Sequence, residues 1–171
     1  SRPTDRLRRR MLTVLRHILY LALVFVLQTT WVHHLAIGGV QPDLVLLTVV
    51  FIALLAGQVE AALLGFAIGL CQDAYSPQDL GLNALSKSLV GFAVGFGRGG
   101  LLAETVQVQV IVLVAAVFVH DTIYYLGSSS TSMTQVPYLL LRFGIGRAIY
   151  TGILAIFVAW LLRIRRQLIP A

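Results

Sequence analysis

Long apolar runs separated by short polar or Gly/Pro breaks dominate the chain. A helix needs about 20 residues to cross about 30 Å of hydrocarbon. On that measure the pattern predicts six membrane-spanning helices, at 17–35, 44–56, 60–75, 77–96, 101–126 and 137–162. The breaks fall at Gly38-Gly39 and Pro42, at Gly57, at Ser76-Pro77, at the glycines of 97–100 and at 127–134. Gly and Pro are the expected punctuation. The second and third segments are short and closely joined. They read as a tight helical hairpin, or as re-entrant segments in a chain with four full spans. The expected fold is all-α and polytopic, with a basic tail at 1–16, a transmembrane domain at 17–162 and a second basic tail at 163–171.

Composition sharpens this picture. Of 171 residues, 58% are hydrophobic and 12% charged, with mean hydropathy +0.86. Soluble domains carry about 25% charged residues. A disordered chain, a coiled coil and an ordinary cytosolic enzyme are therefore excluded. The net charge is +6, but Arg2, Arg6, Arg8, Arg9, Arg10, Arg16, Arg163, Arg165 and Arg166 all lie in the two tails. Residues 17–162 hold four bases against six acids, a net −2. A nucleic-acid binder would show a basic stripe interleaved with aromatics, so no nucleic acid is expected. Lys and Arg mark cytoplasmic segments. Arg8, Arg9, Arg10, Arg163, Arg165 and Arg166 thus place both ends in the cytoplasm, which requires an even number of spans. Each base near anionic lipid adds about 1 kcal/mol of membrane attraction. The first apolar stretch runs from Ile18 to Trp31 with no small-x-small cleavage site, so it reads as an anchor that stays.

Ionisable residues inside spans are functional candidates by default. Asp43, Asp73, Asp79 and Asp121 fall at outer ends of segments, and His120 adjoins Asp121. At 1.5 Å per residue, Arg142 lies about 8 Å and Arg147 about 15 Å into the sixth segment, and Lys87 about 10–15 Å into the fourth. The expected pairs are Asp121 with Arg142, and Asp73 or a carbonyl with Lys87. Asp79, Asn83 and Lys87 share one face at i, i+4, i+8. Glu60 and Glu104 fall at inner helix starts, where acids suit the dipole. Ser76-Pro77-Gln78-Asp79 reads as a helix start, capped by Ser76 or Asp79. Gly65 and Gly69 in the third segment, and Gly91 and Gly95 in the fourth, form small-residue faces. These permit close helix approach, either within the bundle or with a partner's helix. Gly144, Ala148 and Gly152 repeat the pattern in the sixth.

No hydrolase, metalloprotease or phosphate-binding motif is present. His120 and Asp121 point about 100° apart on a helix, so face-to-face pairing is not expected. His33 and His34 lack a third ligand. Cys71 reads as a small buried hydrophobe. No catalytic residue, metal or cofactor is expected.

Four segments carry a family likeness: Gln41-Pro42-Asp43-Leu44-Val45-Leu46-Leu47, Gly65-Phe66-Ala67-Ile68-Gly69-Leu70-Cys71-Gln72-Asp73, Leu80-Gly81-Leu82-Asn83-Ala84-Leu85 and Leu89-Val90-Gly91-Phe92. In order and spacing they resemble the rod shape-determining MreD family. The specific likeness covers about residues 41–95, with His120-Asp121 a weaker echo. The resemblance implies a non-catalytic scaffold of the bacterial elongation complex in the inner membrane. It implies MreC as partner and, directly or through it, RodA, a class B penicillin-binding transpeptidase and MreB filaments. At fold level it implies a bundle like the six-helix S components of vitamin transporters. A substrate-binding S component is the alternative function, although the Ala-x-x-x-Ala motif of such components is missing at Ala22 and Val26.

Overall fold

The computed structural model describes residues 3–99 and 105–168. The side chains of Arg9, Arg10, Arg163, Arg165 and Arg166 lie outside the described residues, as does Glu104, so their expected roles rest on sequence. The chain forms α1 (Pro3–Thr30), α2 (Leu44–Ala56), α3 (Gln58–Asp73), α4 (Leu82–Gly97), α5 (Val106–Gly127), α6 (Val136–Leu139) and α7 (Ile145–Leu168). A π-helical turn at Leu140–Gly144 joins α6 and α7 into one rod. Among the described residues the only β-pairing is a single bridge between Ile37 and Val40.

Helical rods thus occupy all six expected positions. Met11–Thr30, Gln107–Gly127 and Val136–Phe157 are long and apolar enough to cross a membrane. Helix α2 is apolar but has only 13 residues, about 20 Å at 1.5 Å per residue. Helices α3 and α4 have 16 residues each, about 24 Å. Helix α1 begins at Pro3, so the backbone of the basic segment from Arg6 to Arg16 is helical.

Helix α2 is the core. Val45, Leu46, Val49 and Ala53 are fully buried, and α2 touches α1, α3, α4, α5 and α7. A helix that is apolar on every face belongs at the centre of a bundle. In lipid, apolar contact alone drives little association, so close packing and polar ties must hold the bundle together.

Helices α3 and α4 show the close packing. A Cβ built at Gly65 would lie 2.7 Å from Lys87 O, at Gly69 2.5 Å from Ala84 Cα, at Gly91 2.7 Å from Ala61 O, and at Gly95 2.4 Å from Gln58 Cα. No real Cβ fits at these distances. The two small-residue faces are therefore pressed together, which is the first of their two expected uses, packing within the bundle. Gly144 and Gly152 likewise face Phe118 and Val114 of α5. Cys71 is exposed on α3, not buried as its apolar surroundings suggested.

The α3–α4 connection also departs from expectation. Pro77–Asp79 forms a separate 3₁₀ turn, and Ser76 makes no side-chain cap. Gly81 then takes φ +95°, a conformation that side chains rarely adopt, and α4 starts after it.

Candidate functional site

The end of the bundle away from the chain's basic N-terminus holds a closed network of charged side chains. It is built from α2, α4, α5 and α7. Lys87 on α4 is the largest fully buried side chain, 1% exposed. An ammonium has three N–H donors and no acceptor. Lys87 Nζ donates to Asn83 Oδ1 at 3.1 Å and approaches Asp43 Oδ2 at 3.3 Å and His120 Nε2 at 2.9 Å. All three donors are used.

This direction of donation fixes the next link. His120 Nε2 must accept, so Nδ1 carries the ring proton and donates to Asp121 Oδ1 at 3.1 Å. Asp121 Oδ1 also accepts from Arg147 NH1 at 2.8 Å. Asp43 caps α2: its Oδ1 accepts from Leu46 N at 2.8 Å, and its own amide donates to Thr151 Oγ1 on α7 at 3.3 Å. With His120 neutral, two carboxylates balance two cations. That balance is what makes the site tenable, because a buried charge without a partner costs several kcal/mol. Asp121 Oδ2 is buried without a partner among the described residues, beside the bare Cα of Gly144.

Two further carboxylates organise this end. Asp73, fully buried at the end of α3, accepts from Gly81 N at 2.9 Å, Asn83 N at 3.0 Å and Ala84 N at 3.0 Å. It therefore caps α4 from a neighbouring helix and favours the positive end of its dipole. Asp79 accepts from the Ser128 hydroxyl at 2.9 Å, Ser129 N at 3.1 Å and the Tyr124 hydroxyl at 3.4 Å, latching two loops together. Partial loss of water raises the Asp79 pKa, but the donors from Ser128, Ser129 and Tyr124 outweigh this and hold the carboxyl below its usual range.

Asp43, Asn83, Lys87, His120, Asp121 and Arg147 from the expected cluster do come together. The pairings within it differ from expectation. Lys87 pairs with Asp43, not Asp73, because the α4 amides have claimed Asp73. Asp121 pairs with Arg147, not Arg142. Arg142 is exposed and bonds the Tyr138 hydroxyl one turn back, with Phe143 beneath it. His120 and Asp121 do touch, because Nδ1 lies close enough to the backbone to reach the next side chain. Asp79 has left the Asn83–Lys87 face through the Gly81 turn.

The sequence reading missed Thr151, the serines of the 128–129 loop and Gln28. Gln28 Nε2 donates to Pro42 O at 3.0 Å, and its Oε1 accepts from Leu44 N at 2.9 Å. A polar residue three positions from the end of an apolar run was the available signal. Also missed was His17, whose Nδ1 meets Glu60 Oε1 at the opposite end of the bundle.

Chemically, the network ties Lys87, Asp43, His120, Asp121 and Arg147 to one another. Its evident work is to fix four helices against each other. Among the described residues, no three His, Cys, Asp or Glu side chains could hold a metal together. A family model described as rod shape-determining protein MreD matches residues 8–165. No curated protein and no solved structure matches the chain.

Proposed function

Because the chain belongs to the rod shape-determining MreD family, we propose that this membrane protein is a non-catalytic scaffold of the bacterial elongation complex. It crosses the inner membrane six times with both termini in the cytoplasm. It binds MreC, and through MreC or directly it meets RodA and a class B penicillin-binding transpeptidase. MreB filaments and anionic lipid face its basic end. In this way it helps position and regulate lateral peptidoglycan synthesis.

The observation that carries this reading, beside the family match, is the closed network. Lys87 and Asp121 are each 1% exposed, so the charges of this bundle support helix placement and not substrate turnover. A substrate-binding S component needs its outer charges open to a ligand, and Asp43, Lys87 and Asp121 are buried here. Since α3 and α4 fill each other's glycine faces, MreC docks on an outward face.

Co-expression of full-length MreC with this chain, followed by affinity purification in mild detergent, tests the reading. The two proteins should elute together. Elution of this chain alone, with MreC present and folded in the same membrane fraction, would overturn it.

A further inference from the structure

At the basic end of the bundle, opposite the closed network, α1 and the start of α3 meet the end of α4 around a cavity of about 500 Å³. Val14, Val59, Leu63 and Leu64 supply apolar walls, and Glu60 and Arg98 supply one charge of each sign. The two charges are not spent on each other. Arg98 NH1 donates to Leu55 O at 3.0 Å, the last-turn carbonyl end of α2, where a cation is favoured. This parks the guanidinium over the α2–α3 turn, with NH1 3.1 Å from where a Gly57 Cβ would sit. Its remaining N–H groups have no protein acceptor among the described residues. Glu60 follows one turn along α3. Its Oε1 is held by His17 Nδ1, and its Oε2 has no partner among the described residues. The Glu60 side chain is 20% exposed, so the carboxylate still opens on the cavity.

The depth of the cavity matters as much as its charge. The apolar window of α1 runs from Met11 to Thr30. Val14 and His17 lie in its first two turns, where hydrocarbon gives way to headgroups. A ligand here must offer an anion to Arg98, a hydrogen-bonding cation to Glu60 on the same cavity, and apolar chains to the walls. We infer that this cavity is a binding site for a phosphoethanolamine-headed diacyl phospholipid, with its phosphate on Arg98 and its ammonium on Glu60. A phosphatidylglycerol headgroup would offer Glu60 only neutral hydroxyl donors, weaker than an ammonium. A choline headgroup has no N–H to donate. A soluble zwitterion would leave the walls uncovered. The inference rests on the chain lying in a bilayer and not on its role in cell shape.

Native mass spectrometry of the full chain, released from detergent with added phosphatidylethanolamine, phosphatidylglycerol or phosphatidylcholine of identical acyl chains, reads the site directly. Phosphatidylethanolamine should be retained about tenfold over phosphatidylcholine, the scale of one charge-assisted hydrogen bond. Arg98→Gln should lower retention of all three lipids. Glu60→Gln should erase the preference while leaving retention of the other two. His17→Ala keeps the carboxylate and should keep the preference, and it separates headgroup recognition from packing of α1. Equal or greater retention of phosphatidylglycerol overturns the proposal, as does an unchanged preference in Glu60→Gln. Loss of preference in His17→Ala, or full competition by soluble phosphoethanolamine, also overturns it. The ethanolamine-to-choline comparison on the unaltered chain decides the matter even where a variant fails to fold.

Discussion

Replacing Lys87 by Met tests whether the buried network holds the bundle together. Met keeps the length and bulk of the side chain, so the change removes charge and donors without opening a cavity. Three acceptors then lose their donor at once: Asp43 Oδ2, Asn83 Oδ1 and His120 Nε2. Asp43, 8% exposed, becomes an unmatched buried carboxylate. Removing one partner of a buried ion pair costs about 3–5 kcal/mol. Each orphaned neutral acceptor adds about 1 kcal/mol or more. We expect a loss of about 4 kcal/mol or more, a factor of about 10³ in the folding equilibrium.

The second arm of the test is Asp43→Asn. The amide oxygen still accepts from Leu46 N, so the α2 cap survives while the charge goes. Combined with Lys87→Met it leaves no unmatched charge, and the double variant should recover about 2 kcal/mol relative to the sum of the singles. Reversible unfolding in mixed micelles, followed by far-ultraviolet circular dichroism, gives all four corners of the cycle. The reasoning is refuted if Lys87→Met lies within about 1 kcal/mol of the parent, or if the two changes add within about 0.5 kcal/mol.

Three further outcomes follow from the same geometry. Arg147→Leu strips the partner from buried Asp121 and should lower stability by about 3 kcal/mol, whereas Arg142→Leu, which loses contacts only within its own rod, should cost under about 1 kcal/mol; the same micellar unfolding separates them. Gly69→Ala forces a Cβ to 2.5 Å from Ala84 Cα and should destabilise by about 1–3 kcal/mol, while Gly152→Ala meets only contacts at 3.7 Å or beyond and should gain up to about 1 kcal/mol from helix propensity; thermal midpoints in detergent decide the sign at each site. Because the folded Asp79 carboxyl titrates below its unfolded value, its latch stabilises above the unfolded pKa and is lost as pH falls through the folded one. Midpoints of the parent and Asp79→Asn should therefore differ at neutral pH and converge on acidification, and a gap that stays constant would contradict the latch.

The placement of helices was legible because apolar runs and Gly/Pro breaks report directly on what lipid requires. The start of α1 was not, since Arg is a good helix former and nothing in the basic segment interrupts a helix. Which charges gather at the far end was legible from depth along each segment. Which charge meets which was not, and α6–α7 shows why. Depth counted from Pro137 puts Arg142 near the outer carboxylates, but depth does not say which way a side chain faces. The π-turn at Leu140–Gly144 absorbs an extra residue, and one residue is about 100° of helical phase. Arg142 is turned outward to Tyr138, and Arg147 comes round to Asp121. Asp73 was misread for a different reason. Its partners are backbone amides of α4, which a residue pattern cannot display.

In lipid the hydrophobic effect does not set how far one helix slides along another, so the register of this bundle must come from polar ties. The ties sit at two levels. At the basic end His17 holds Glu60, and Arg98 holds Leu55 O. At the far end Asp73 holds the α4 amides, Lys87 holds Asp43 and His120, and Asp121 holds Arg147. On α3 the two levels, Glu60 and Asp73, are 13 residues apart, about 20 Å. A slip of α3 against α4 by one turn, about 5.4 Å, would break the Asp73 cap and drive Gly65 and Gly69 past the carbonyls they now touch. If α3 moves, its Glu60 also leaves His17 of α1, so a single slip breaks ties at both levels. A bundle locked at both ends presents its outward faces at fixed heights, as the scaffold role we propose requires.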